Sequence, residues 1–127
     1  MIHLTAIIDV DAVLGQNVEI GPYCVVGPGV VLGDDVDLKS HVVLRGPSNI
    51  GRGVQIYQFA TVGEDTPALA YEGEDSVLEV GEGTILREGV TIHRGMAKRG
   101  IQKTIIGSNC LLMAYVHVGH DLSLIHI

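Results

Sequence analysis

Residues 8–44 read I DVDAVL GQNVEI GPYCVV GPGVVL GDDVDL KSHVVL, and broken into sixes they decide the fold. Each six ends on a large aliphatic: Leu14, Ile20, Val26, Leu32, Leu38, Leu44. The count runs back to Ile8 and Ile2 and on to Ile50, Ile56 and Val62, eleven hits in succession. Two places before each, from Ile8 onward, stand Ala6, Ala12, Val18, Cys24, Val30, Val36, Val42, Ser48, Val54 and Ala60, all small or β-branched. Glycine follows the aliphatic at 15, 21, 27, 33, 51 and 63. With aliphatics at roughly one residue in three, chance produces such a run with a probability several orders of magnitude below one.

A period of six is neither the 3.6 of a helix nor the alternation of a hairpin sheet. It suits a short strand and a tight turn on each face of a triangular prism. The expected fold is therefore all-β, a left-handed parallel β-helix with three hexads per coil. The aliphatic fills the prism, the residue two earlier is small where the chain rounds the corner, and glycine relieves the backbone at the turn. The pattern resumes at Val80, Leu86 and Ile92, then at Ile106, Leu112, Val118 and Leu124. That makes about six coils in a stack roughly 29 Å tall. Two loop excursions interrupt it, at about Glu64 to Ser76 and about Gly95 to Lys103. Insertions in a solenoid project from one face and often carry binding function.

Composition agrees. Hydrophobic residues make up 46% but aromatics only 4%, so the core is built from many small aliphatics. A net charge of −7 argues against a nucleic-acid binder. No run approaches the length of a membrane span, and the first residues lack a signal peptide's basic and apolar regions. The simplest compartment is the cytosol. Cys24 and Cys110 fall in inward positions and are expected to be inert packing residues.

The register turns His93, His117 and His120 outward. If the second excursion is a loop at a corner, Val118 lies one coil above Ile92, and the three histidines gather on one face beside it. Any one of them has a bland reading as a solvated side chain; three converging ones point to acid–base or binding chemistry. A carboxylate near an imidazole can hold its tautomer, and Asp121 follows His120; strand neighbours point to opposite sides, so this needs the turn of the hexad to bring the two together. Arg94, Lys98, Arg99 and Lys103 are four of only eight basic residues, packed within ten positions. They are either a solvated loop or a docking patch for phosphates or an acidic partner.

The segments Ile56–Glu64, Arg87–Gly95 (with Thr91-Ile92-His93-Arg94-Gly95) and Leu111–Asp121 (with His117-Val118-Gly119-His120-Asp121) resemble the acyl-carrier-protein-dependent UDP-N-acetylglucosamine O-acyltransferases of lipid A biosynthesis. The hexad is shared by many transferases; the two histidine segments are more specific. The resemblance implies transfer of a 3-hydroxyacyl group from acyl carrier protein to the 3-hydroxyl of UDP-N-acetylglucosamine. It implies a homotrimer with active sites between subunits, and no metal or tightly held cofactor. His120 would be the general base, Asp121 its orienting carboxylate, and His93, His117 and Tyr71 substrate contacts. The basic stretch Arg94, Lys98, Arg99 and Lys103 would meet the acidic carrier protein, an inference from charge.

The chain departs from that family at Ala68 and Ala70, where the family pattern carries a carboxylate and a lysine used on substrate. The expected domain covers residues 1–121 and lacks the family's further coils and C-terminal helical domain; residues 122–127 are expected to be foreign to it. Activity of such a truncated chain would be weak or absent. Another hexapeptide-repeat acyl- or acetyltransferase acting on a nucleotide sugar is the alternative enzyme. A zinc-dependent carbonic anhydrase on the same scaffold is a third reading, and an inert β-helix a non-enzymatic one.

Overall fold

A computed structural model describes residues 1–64, 77–93, 103–118 and 123–124, apart from the side chains of Lys103, Ser123 and Leu124. Every described element is a strand of two to four residues, and each pairs in parallel with the strand three places on. The first face of the prism stacks β1 (Ile7–Ile8), β4 (Val25–Val26), β7 (Val43–Leu44), β10 (Thr61–Glu64), β13 (Thr91–His93) and β16 (His117–Val118). The second stacks β2 (Val13–Leu14), β5 (Val30–Leu32), β8 (Ser48–Ile50), β11 (Val77–Val80), β14 (Lys103–Ile106) and β17 (Ser123–Leu124). The third stacks β3 (Glu19–Ile20), β6 (Asp37–Leu38), β9 (Gln55–Ile56), β12 (Ile85–Leu86) and β15 (Leu111–Leu112), with Ile2 bridging to Ile20 beneath. This is the left-handed parallel β-helix with three hexads per coil.

Register explains why a hexad is enough. Ile7 pairs with Val25, Val13 with Val31 and Glu19 with Asp37, always eighteen residues apart. Each coil therefore lays every residue on its own equivalent, and like side chains stack in columns. The inward columns are buried in pairs such as Val30 and Leu32, Val36 and Leu38, Val54 and Ile56. No described helix shields this core; each coil is closed only by its neighbours.

Three polar residues enter the small inward column: Ser48, Thr84 and Thr104. The Ser48 hydroxyl donates to the Arg45 carbonyl. The Thr84 hydroxyl donates to the Gly107 carbonyl at 2.6 Å and accepts from the Cys110 amide at 3.1 Å. The Thr104 hydroxyl has no partner among the described residues. Cys24 and Cys110 are free thiols buried in the core, as expected. Burial pushes the Cys24 thiol above its ordinary value against the pull of nearby backbone hydrogen bonds.

One expectation needs correction. The glycines that follow the aliphatic are, at 15, 21, 27, 33 and 51, not in the left-handed region. At 15, 21, 33 and 51 they are required because the next coil comes too close: a Cβ on Gly51 would sit 2.8 Å from the Glu82 amide nitrogen. The left-handed residue lies three places before the aliphatic instead, at Asn17, Tyr23, Gly29, Asp35, His41, Gly53 and Phe59. Gly63 is the exception, left-handed at φ 86°. The excursions fall where expected, between Glu64 at the end of β10 and Val77 at the start of β11, and between His93 at the end of β13 and Lys103 at the start of β14.

Candidate functional site

Both excursions fall in the chain between a strand of the first face and a strand of the second, after β10 and after β13. Thr91 pairs with His117 and Ile92 with Val118, so Val118 does lie one coil above Ile92. The chain travels twenty-six residues between these partners rather than eighteen, and the second excursion takes up the difference.

His93 follows inward Ile92, and His117 precedes inward Val118. Alternation along a strand turns both side chains onto the outer surface of the first face. Their positions are diagonal across two coils, and their rings meet edge-on at a centroid separation of 5.0 Å and an interplanar angle of 61°. Thr91, directly below His117, places Oγ1 2.8 Å from His117 Nδ1. Glu64 stands opposite His93 across β10 and β13, where the register slips after Val62. The Glu64 carboxylate accepts a hydrogen bond from Arg45 Nε at 2.8 Å, an ion pair one coil further down. Gly63 makes the slip possible, because any side chain there would run into the Arg45 carbonyl and the Ser48 hydroxyl.

Two of the expected site residues are thus brought together, His93 and His117. His120, Asp121, Tyr71, Arg94, Lys98 and Arg99 lie outside the described residues, as do Ala68 and Ala70. His120 and Asp121 fall in the chain between β16 and β17. Lys103 opens β14, paired with Val77, and its side chain lies outside the description. Thr91, Glu64 and Arg45 were missed by sequence reasoning. Only the coil length after the excursion identifies Thr91 as the neighbour of His117, and the slip at Gly63 resembles an ordinary glycine turn. Among the described residues no three His, Cys, Asp or Glu side chains converge as a metal's ligands do.

Two imidazoles side by side on an exposed face offer donor and acceptor nitrogens to a polar ligand and a route for a proton. Two grooves lie elsewhere, one of about 370 Å³ along Glu79, Val80, Gly81, Ile106 and Gly107, the other of about 360 Å³ near Met1 and Lys39. The first runs along the backbone of Gly51, Gly81 and Gly107, and in the second the charged groups are already paired, Met1 with Glu19 and Lys39 with Asp37, so the histidine pair is the better candidate. On the edge joining the third face to the first, Lys39 bonds Asp37 at 2.6 Å, which holds its ammonium above the ordinary lysine value. Arg87 lies 4.1 Å over the Tyr57 ring and bonds Glu88, holding that carboxyl below its ordinary value.

Comparison with known proteins agrees with this architecture. The bacterial transferase hexapeptide (six repeats) family matches residues 11–46. The acyl-[acyl-carrier-protein]–UDP-N-acetylglucosamine O-acyltransferase of Saccharophagus degradans is 54% identical over 121 residues, covering 94% of this chain and 46% of that protein. LpxA from Acinetobacter baumannii superposes with a TM-score of 0.92 at 47% identity, covering 94% of this chain and 46% of that one. LpxA of Bacteroides fragilis, a UDP-N-acetylglucosamine acyltransferase, gives 0.92 at 40% identity over 96% of this chain and 48% of its own. The chain spans about half the length of the relatives it matches here. No described helix is long and apolar enough to cross a membrane.

Proposed function

The chain is homologous over nearly its whole length to the N-terminal part of the acyl-[acyl-carrier-protein]–UDP-N-acetylglucosamine O-acyltransferases, and from this we propose that it serves transfer of a 3-hydroxyacyl group from acyl carrier protein to the 3-hydroxyl of UDP-N-acetylglucosamine, the opening step of lipid A biosynthesis. The observation that carries the reading is the pairing of His93 on β13 with His117 on β16, 5.0 Å apart, His117 lying on the strand that precedes His120 and Asp121 in the chain.

In this reading His120 removes the proton of the sugar 3-hydroxyl as its oxygen attacks the thioester carbonyl carbon. The C–S bond breaks, an ester forms, and the carrier's thiolate leaves and takes up the proton. Asp121 fixes the His120 tautomer and stabilises the imidazolium. His93, His117 and Tyr71 contact the sugar nucleotide. Arg94, Lys98, Arg99 and Lys103 attract the acidic carrier protein, a local positive patch on a chain of net charge −7. The active assembly is a homotrimer, acting in the cytoplasm without metal or cofactor.

The test is His120→Ala in an acyl-transfer assay. Loss of general-base catalysis lowers turnover by about 10²- to 10⁴-fold, with the β-sheet circular dichroism unchanged. Wild-type turnover in that variant would remove the base assignment. A second reading, a hexapeptide-repeat transferase for another nucleotide sugar, is favoured by Ala68 and Ala70. Comparing acceptors and donors in one assay separates the two.

The domain assignment stays a proposal as well: one β-helix over residues 1–121 with 122–127 outside the family. Within that tail, Ser123 and Leu124 pair with Ile105 and Ile106, so the ladder runs on through them.

A further inference from the structure

His117 meets a hydroxyl whose place is dictated by the repeat. Thr91 and His117 are direct partners across β13 and β16, and Thr91 Oγ1 lies 2.8 Å from His117 Nδ1. A threonine on a strand is stiff at χ1, so its hydroxyl holds a fixed direction. The neighbouring His93 ring, edge-on at 5.0 Å, hinders His117 from turning away.

We propose that Thr91 is a positioning residue, whose hydroxyl donates to His117 Nδ1 and so holds the neutral ring as its Nε2–H tautomer, presenting a donor to the sugar nucleotide. The inference rests on the reading of His117 as a substrate contact. A neutral imidazole carries one N–H, and accepting at Nδ1 places it on Nε2. The Thr91 hydroxyl carries one proton, and His117 Nδ1, 2.8 Å away, is an acceptor it reaches. The ligand chemistry points the same way. A UDP-sugar offers diphosphate and N-acetyl carbonyl oxygens, all acceptors, and an N–H serves them where a bare ring nitrogen repels them. Labour is then divided: His120 needs an unprotonated nitrogen to act as base, while His117 needs a protonated one to bind.

The experiment is ¹⁵N NMR of the His117 imidazole in the whole chain, at a pH where the ring is neutral, for wild type, Thr91→Val and Thr91→Ser. Valine matches threonine in shape and favours strands, so the coil is kept. In wild type and Thr91→Ser, Nδ1 should resonate as the unprotonated nitrogen and Nε2 as the protonated one. Thr91→Val should shift the tautomer ratio by about three- to tenfold, the worth of one hydrogen bond. Titration with UDP-N-acetylglucosamine should weaken by a similar factor in Thr91→Val and recover in Thr91→Ser. An Nδ1–H tautomer in wild type, or an unchanged ratio in Thr91→Val, overturns the proposal. If the tautomer responds but wild type binds no UDP-sugar, the positioning role survives and the substrate reading falls.

Discussion

Gly51 and Gly53, two residues apart, are glycine for unrelated reasons. A Cβ on Gly51 would sit 2.8 Å from the Glu82 nitrogen and 2.9 Å from the Val80 oxygen, both backbone atoms of the next coil. Around Gly53 there is open space within 4 Å, but its φ is +70°. Gly51→Ala should therefore cost about 1–3 kcal/mol by forcing coils apart. Gly53→Asn should be close to neutral, because asparagine tolerates the left-handed region and occupies it at Asn17 and Asn109. Urea denaturation of the two variants measures the contrast, and equal losses would refute it. The positions of these glycines are plain in the sequence, but their reason is not. Spacing shows where glycine recurs, while the approach of the next coil is a distance between residues far apart in the chain. Cys24 gives a pH-dependent case. Its folded value is raised by burial, so the unfolded chain loses the proton first. Stability from the protonated thiol is complete at neutral pH and is lost as pH rises into the alkaline range. Cys24→Ala should flatten the alkaline limb of the stability–pH curve; a limb of unchanged slope would show that other groups set it.

Strands of two residues hold no stability alone, and each element here is sorted by what its inward column meets. Thr84 and Thr104 occupy the same kind of slot with opposite consequences. Thr84 bridges the Gly107 carbonyl and the Cys110 amide, tying β12 to the turn above. Thr84→Val leaves both groups to find other partners in a buried place and should cost about 1–3 kcal/mol. Thr104 is fully buried with its hydroxyl unpartnered among the described residues. Thr104→Val should be neutral or stabilise by about 1 kcal/mol. Thermal unfolding ranks them, and a loss at 104 as large as at 84 would mean that Thr104 has a partner. The hexad made every strand of the prism legible, because one aliphatic column sets three faces at once. It did not make the β10 slip legible. Gly63 follows Val62 just as Gly51 follows Ile50, and only the pairing of Glu64 with His93 reveals that this glycine admits an extra residue. The histidine pair was legible for the complementary reason, that coil arithmetic carries across an excursion whose two ends return to register.

At the scale of the molecule the prism's edges share one backbone and differ in chemistry. The edge joining the second face to the third fills its left-handed position with Asn17, Asp35, Gly53, Gly83 and Asn109, residues that take it at least cost. The edge joining the third face to the first uses Tyr23, His41, Phe59, Gly89 and Tyr115. Tyr23, Phe59 and Tyr115 are 61%, 66% and 82% exposed. A bulky residue in that conformation costs about 1–2 kcal/mol, and exposed rings recover little of it by burial within the chain. The rings form a ladder: Tyr23 to His41 and His41 to Phe59 are each 5.2 Å between centroids, and Tyr115 covers the bare face of Gly89. The outward column beside it on the first face runs Ile7, Val25, Val43, Thr61, Thr91 and His117, with no carboxylate, lysine or arginine in it. The charges on the edge itself are paired, Lys39 with Asp37 and Arg87 with Glu88, so copies can approach along that side with little like-charge repulsion, and a partner with the same coil rise meets the ladder rung for rung. If the proposed homotrimer forms through this side, the histidine pair stands beside a neighbouring subunit. Phe59→Asn with Tyr115→Asn keeps the backbone, since asparagine already serves the same position on the other edge. Sedimentation equilibrium should show the chain as a trimer and the double variant shifted toward monomer, with the β-sheet circular dichroism and urea midpoint of the monomer at least as high. A wild-type monomer, or a double variant as trimeric as the wild type, would mean that the rings face solvent for some reason other than self-association.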